Sequence, residues 1–157
     1  MKKLFLFLSI GLIAGFIFFA GCGGDGDGQE LTPQQEQAKT LQGTWVVQSA
    51  TVPQGVDPTI LSGGTLTFNT DQDYNPTSFN SSGVPDFFSA GGSAAWTFSG
   101  QSTTQVVLSN VSPVTEFSIN NLSGNSLSIS FSHPGLAGPR TAQVTDLSGA
   151  YTASLSK

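Results

Sequence analysis

Apolar and polar residues alternate with a period of two over most of the chain after Gly43. Leu66 and Phe68 alternate with Thr65, Thr67 and Asn69; Ala94, Trp96 and Phe98 with Ala95 and Thr97; Phe117 and Ile119 follow the same rule. The clearest run is Ser126 to Ser132, in which Leu127, Ile129 and Phe131 face one way and four serines the other. Tyr151, Ala153 and Leu155 repeat it against Thr152, Ser154 and Ser156. This alternation predicts strands with one dry and one wet face, the mark of an antiparallel sheet. Turn signals separate the runs: Ser62-Gly63-Gly64, Thr70-Asp71-Gln72-Asp73, Ser99-Gly100-Gln101, Ser123-Gly124-Asn125, Gly138-Pro139 and Ser148-Gly149. Strands are expected at about 43–52, 64–70, 76–80, 93–99, 103–109, 114–120 and 125–132, with one bent strand or two over 140–156. The expected fold class is all-β: an antiparallel up-and-down barrel of about eight strands, with a β-sandwich as the alternative. A barrel has no open edge to invite pairing with other chains.

Two segments before Gly43 follow other rules. Thr32-Pro33-Gln34-Gln35 is a helix start: Thr32 can cap, Pro33 suits the first helical position and Gln35 can reach back. It predicts one short helix over 33–42. At the N-terminus, Lys2 and Lys3 precede an almost wholly apolar run from Leu4 to Ala20 with five phenylalanines. A charged head, a greasy middle and small residues at the cut describe a secretory signal; a retained membrane helix is the alternative.

Phe19-Ala20-Gly21-Cys22 resembles the lipobox of bacterial lipoproteins, with Phe19 where a leucine is usual. The resemblance implies cleavage before Cys22 and acylation of its thiol. Each buried acyl methylene contributes about 0.8 kcal/mol, so two or three chains hold a protein on a bilayer. The implied organisation is a signal peptide at 1–21, an acidic glycine-rich tether at 22–31 and a β domain at 32–157. Gly23 lacks the aspartate that retains such proteins at the inner membrane in enteric bacteria, so the expected address is the outer membrane, on either face.

Leu41-Gln42-Gly43-Thr44-Trp45 resembles the start of a lipocalin-type (calycin) barrel, in which a short helix leads into Gly-x-Trp and the tryptophan plugs the closed end. The stretches 66–74, 94–100, 119–131 and 147–157 are similar to parts of lipocalin-like bacterial lipoproteins. The resemblance implies a structural role for Trp45 and a basic residue packed over it; Arg140, the only arginine, is the candidate. It also implies a ligand entrance covered by the first loop. Ile60 and Leu61 there, with Phe87 and Phe88 in a second glycine- and proline-rich loop, are the candidate ligand-binding residues.

Composition narrows the chemistry. The chain carries a formal net charge of −5; after the signal only Lys39, Arg140 and Lys157 remain as cations, against ten acidic residues. Such a surface is poor for nucleic acid. One cysteine, committed to a lipid, excludes an internal disulfide and thiolate-built metal sites. Asn69, Asp71 and Asp73 have the spacing of a calcium loop, but Tyr74 stands where glycine is needed, and a polar hairpin turn is expected instead. His133, the only histidine, is expected at an exposed turn before Pro134. No Gly-x-Ser-x-Gly elbow supports a triad, and nothing marks Asp86 and Glu116 as paired acids. No catalytic residue, metal or cofactor is expected. The leading expectation is a non-enzymatic, lipid-anchored envelope protein holding a small apolar or amphipathic ligand in its barrel. The alternative is a ligand-free structural or interaction lipoprotein.

Overall fold

The computed structural model describes residues 30–135 and 146–157. Helix α1 (Pro33–Leu41) is followed by eight strands: β1 (Gly43–Thr51), β2 (Thr65–Thr70), β3 (Pro76–Ser82), β4 (Phe88–Phe98), β5 (Gln105–Pro113), β6 (Glu116–Leu122), β7 (Ser126–His133) and β8 (Gly149–Ser156). Each strand pairs with the next, and β8 returns to pair antiparallel with β1, closing the barrel. The closing register joins Val47 to Leu155 and, after a bulge, Ala50 to Ala153. Closure decides between barrel and sandwich, and the all-β expectation holds.

The alternation seen in the sequence becomes the inside and outside of the barrel. On β7, Leu127, Ile129, Phe131 and His133 are buried. Every phenylalanine from Phe68 onward is buried, with Trp45, Trp96 and Tyr151. Uncharged polar groups bond across the strands outside: Thr44 to Thr67 (2.9 Å), Asn69 Nδ2 to Ser78 Oγ (2.9 Å) and Ser118 Oγ to Gln105 Oε1 (2.8 Å).

The helix forms as its residues dictate. Thr32 Oγ1 accepts from the Gln35 backbone N–H (3.3 Å), and Gln35 Oε1 accepts from that of Thr32 (2.9 Å). Ala38 and Leu41 are fully buried. Gln34 donates to the carbonyls of Gly100 and Ser102 and Gln35 to that of Asp73, pinning α1 to the turns at one end of the barrel.

Strand β4 departs from expectation. It begins at Phe88, not near residue 93, because Phe88, Ser89 and Ala90 pair with Pro113, Ser112 and Val111. The glycines that read as loop form instead a bulge between Ala90 and Ala95. The C-terminal region holds one strand, Gly149–Ser156, within the described residues.

Candidate functional site

The two ends of the barrel are closed differently. At the helix end, Trp45 is fully buried, and its Nε1–H donates to the Leu41 carbonyl at 2.7 Å. A cation does lie over its ring, but it is Lys157, with Nζ 4.4 Å from the ring centre. The same ammonium donates to the Thr40 carbonyl at 2.9 Å, tying the last residue to the end of α1. Burial holds its pKa below the usual lysine value. Gly43 makes room: its φ is +115°, and a Cβ there would meet Lys157 Cε at 3.3 Å. Arg140, the residue proposed for this place, lies outside the described residues, as does Cys22.

At the opposite end three connections converge. The β1–β2 loop brings in Val56 and Leu61, both buried, with Ile60 partly buried against the core. Asp57 holds that loop by accepting from the backbone N–H and hydroxyl of Thr59, both at 2.8 Å; these bonds lower its pKa. The β3–β4 connection turns tightly, the N–H groups of Phe87 and Phe88 both donating to the Val84 carbonyl, and Ser81 Oγ donates to the Phe88 carbonyl. The backbone of Leu147 accepts from the Tyr151 hydroxyl at 2.7 Å.

His133 locks these pieces together and corrects the sequence reading: it is buried, only 1% exposed. Its Nε2 lies 2.9 Å from the Asp86 carbonyl, and its Nδ1 accepts from the Gly135 N–H at 3.0 Å. Nδ1 therefore carries no proton and Nε2–H donates, the tautomer assigned by its partners. Backbone engages both nitrogens, leaving neither for a serine. The signal for its burial was present: position 133 continues the inward parity of 127, 129 and 131, and was masked by the Pro134 turn.

Phe87 and Phe88 point into the barrel. Phe87 lies edge-on to Tyr151 (5.1 Å between ring centres), His133 (5.2 Å) and Phe131 (6.1 Å), while Phe131 and Tyr151 stack at 5.3 Å with 3° between their planes. Phe88 meets Phe131 at 5.1 Å and Phe79 at 6.4 Å. Phe79 meets Phe68 at 5.3 Å, and Phe68 meets Trp96 at 5.4 Å and Phe117 at 5.9 Å. One continuous column of rings thus links the loop-capped end to the middle of the barrel and on to Trp96 and Phe98 near the helix end. Tilted and edge-to-face pairs of this kind contribute roughly 0.5–1.5 kcal/mol each beyond area burial.

The calcium-like spacing resolves as a turn. Asp71 accepts from the N–H groups of Asp73 and Asn75 and from the Asn75 side chain, whose bonds lower its pKa. Among the described residues, no group of three or more His, Cys, Asp or Glu side chains could hold a metal ion, and no helix is long and apolar enough to cross a membrane.

An eight-stranded antiparallel barrel with a helix at its entry is compatible with a lipocalin-like fold. No protein-family model matches the chain, and neither a curated protein nor a solved structure matches it.

Proposed function

We propose that the protein is a lipid-anchored module of the bacterial cell envelope that acts through the outside of its barrel, as a structural or interaction protein, with no ligand in the interior. The column of rings from Phe87 through Phe131, Phe88 and Phe79 to Phe68 and Trp96 carries this reading. An eight-stranded barrel has room for packed side chains or for one small ligand, and here side chains occupy the axis. The anchoring half rests on the lipobox resemblance at Cys22, with the outer membrane as address. No catalysis is assigned, since the one histidine spends both ring nitrogens on backbone groups.

The second reading is a small apolar or amphipathic ligand held at the loop-capped end. It is favoured by the origin of that end's filling: Phe87 and Leu61 stand on connections between strands, and Phe88 is the first residue of β4. Displacing the two phenylalanines would open an apolar chamber. Native mass spectrometry of the protein extracted from its own cells separates the readings. The expected spectrum shows the acylated chain from Cys22 and no further mass. A stoichiometric small molecule that leaves on gentle activation would overturn the empty-barrel reading in favour of the second. Cys22→Ser is expected to move the protein from the membrane to the soluble fraction; continued retention would instead favour an uncut N-terminal helix.

A further inference from the structure

The loop-capped end carries an exposed trough that neither the ring column nor the lipid anchor uses. Pro85, Asp86, Ser89, Pro113 and Pro134 line a surface hollow of about 460 Å³. Pro113 and Pro134 also line its neighbour, of about 260 Å³, whose other wall carries Glu116 and Ser132. The two hollows share these two prolines and form one trough over the β3–β4 turn, the end of β5 and the end of β7. Its floor is fixed from below by the His133 bonds to Asp86 and Gly135 and by the Val114 N–H donating to the Phe87 carbonyl.

The chemistry of the lining defines an occupant. Proline offers no N–H, so a segment laid here is recognised by side chains rather than by adding a strand. Pyrrolidine rings present flat apolar faces against which an aromatic ring can pack. Asp86 and Glu116 are exposed, one in each hollow, and the described residues give neither carboxylate a partner. Among the described residues no lysine or arginine lines either hollow, and the protein as a whole is net negative. The start of α1 is pinned at the other end of the barrel, so the trough lies away from the point where the N-terminal segment joins.

We propose that this trough is a docking site for a protein segment carrying lysine or arginine beside aromatic residues, the cations meeting Asp86 and Glu116 and the rings lying on the prolines. The proposal rests on the interaction reading above and names its partner's chemistry. Charge complementarity of this kind acts mainly on specificity and association rate, and weakens with salt.

The test uses the full acylated protein in nanodiscs of neutral lipid, with empty discs subtracted. The probes are a fluorescent peptide alternating lysine and tryptophan and its counterpart with glutamate for lysine, followed by anisotropy at low and high salt. Binding of the lysine peptide only is expected, with D86N/E116Q weakening it about tenfold and flattening its salt dependence. Equal binding of both peptides, no binding of either, or a variant within twofold of the parent overturns the docking site. If the peptide fails while native mass spectrometry still finds an empty barrel, the trough is lost and the interaction reading stands. A co-purified small molecule removes that reading whatever the peptide does.

Discussion

At the scale of single residues, four side chains decide most of what is distinctive. Trp45 combines full burial, a hydrogen bond to the Leu41 carbonyl and the Lys157 ammonium on its ring face. Trp45→Ala is expected to cost about 3–5 kcal/mol, measured by urea denaturation of the barrel; a loss near zero would contradict the plug. Lys157→Met should cost less, about 0.5–2 kcal/mol, since it removes a cation–π contact and a hydrogen bond at the surface while keeping the apolar stem. His133→Phe keeps a ring among Phe87 and Tyr151 but strands the Asp86 carbonyl and the Gly135 N–H, at about 1–3 kcal/mol for each group that water does not reach. Tyr151 links stability to pH. Burial first, and the nearby charge of Asp146 second, raise the pKa of its phenol. A raised value means the folded protein favours the neutral phenol. Its contribution is then complete below the ordinary tyrosine value of about 10 and is lost as pH rises through the folded value. Thermal melts across alkaline pH should show this loss, and Tyr151→Phe should flatten it.

At the scale of elements, local chemistry and close packing can be told apart. Helix α1 was readable from Thr32, Pro33 and Gln35 because a capping box is a short-range hydrogen-bonding pattern, and it ends at Leu41, one residue before the expected limit. Thr32→Ala should cost about 1 kcal/mol, read by denaturation. The β1–β2 loop is different. Gly64 lies so close to β3 and its following turn that a Cβ there would overlap Val84 Cγ1. Gly64→Ala should therefore lift the Val84 turn and with it Phe87 and Phe88, seen as faster hydrogen exchange at those amides than in β7. The stretch 81–92 reads as a loop because glycine and proline are the usual turn residues, and 83–87 does connect two strands. The state of Phe88 to Gly92 depends instead on Ser112 and Val111 offering a ladder to Ser89 and Ala90, which no local pattern announces. Parity could have caught His133, since its place follows from Leu127, Ile129 and Phe131.

At the scale of the whole molecule, filling and closure belong together. The barrel ends are sealed by a tryptophan with its lysine on one side and by three folded-in connections on the other, and aromatic rings join the two. Sparse charge and cross-strand hydroxyl and amide pairs leave an outer wall with few electrostatic features, so Asp86 and Glu116 beside prolines stand out on it.

The sequence by itself determined which residues face inward on the cleanly alternating strands, where the helix starts, and that the interior is aromatic. These follow from the two-residue period of a strand and from hydrogen bonds between residues a few positions apart. Only the tertiary structure decided that β8 closes on β1, that Lys157 is the cation over Trp45, and that Leu61, Phe87 and Phe88 turn inward to cap the core. A dry face serves a sandwich as well as a barrel, and a lone cation or an apolar loop residue takes its partner from chain segments distant in sequence, which meet only once the sheet has curled shut.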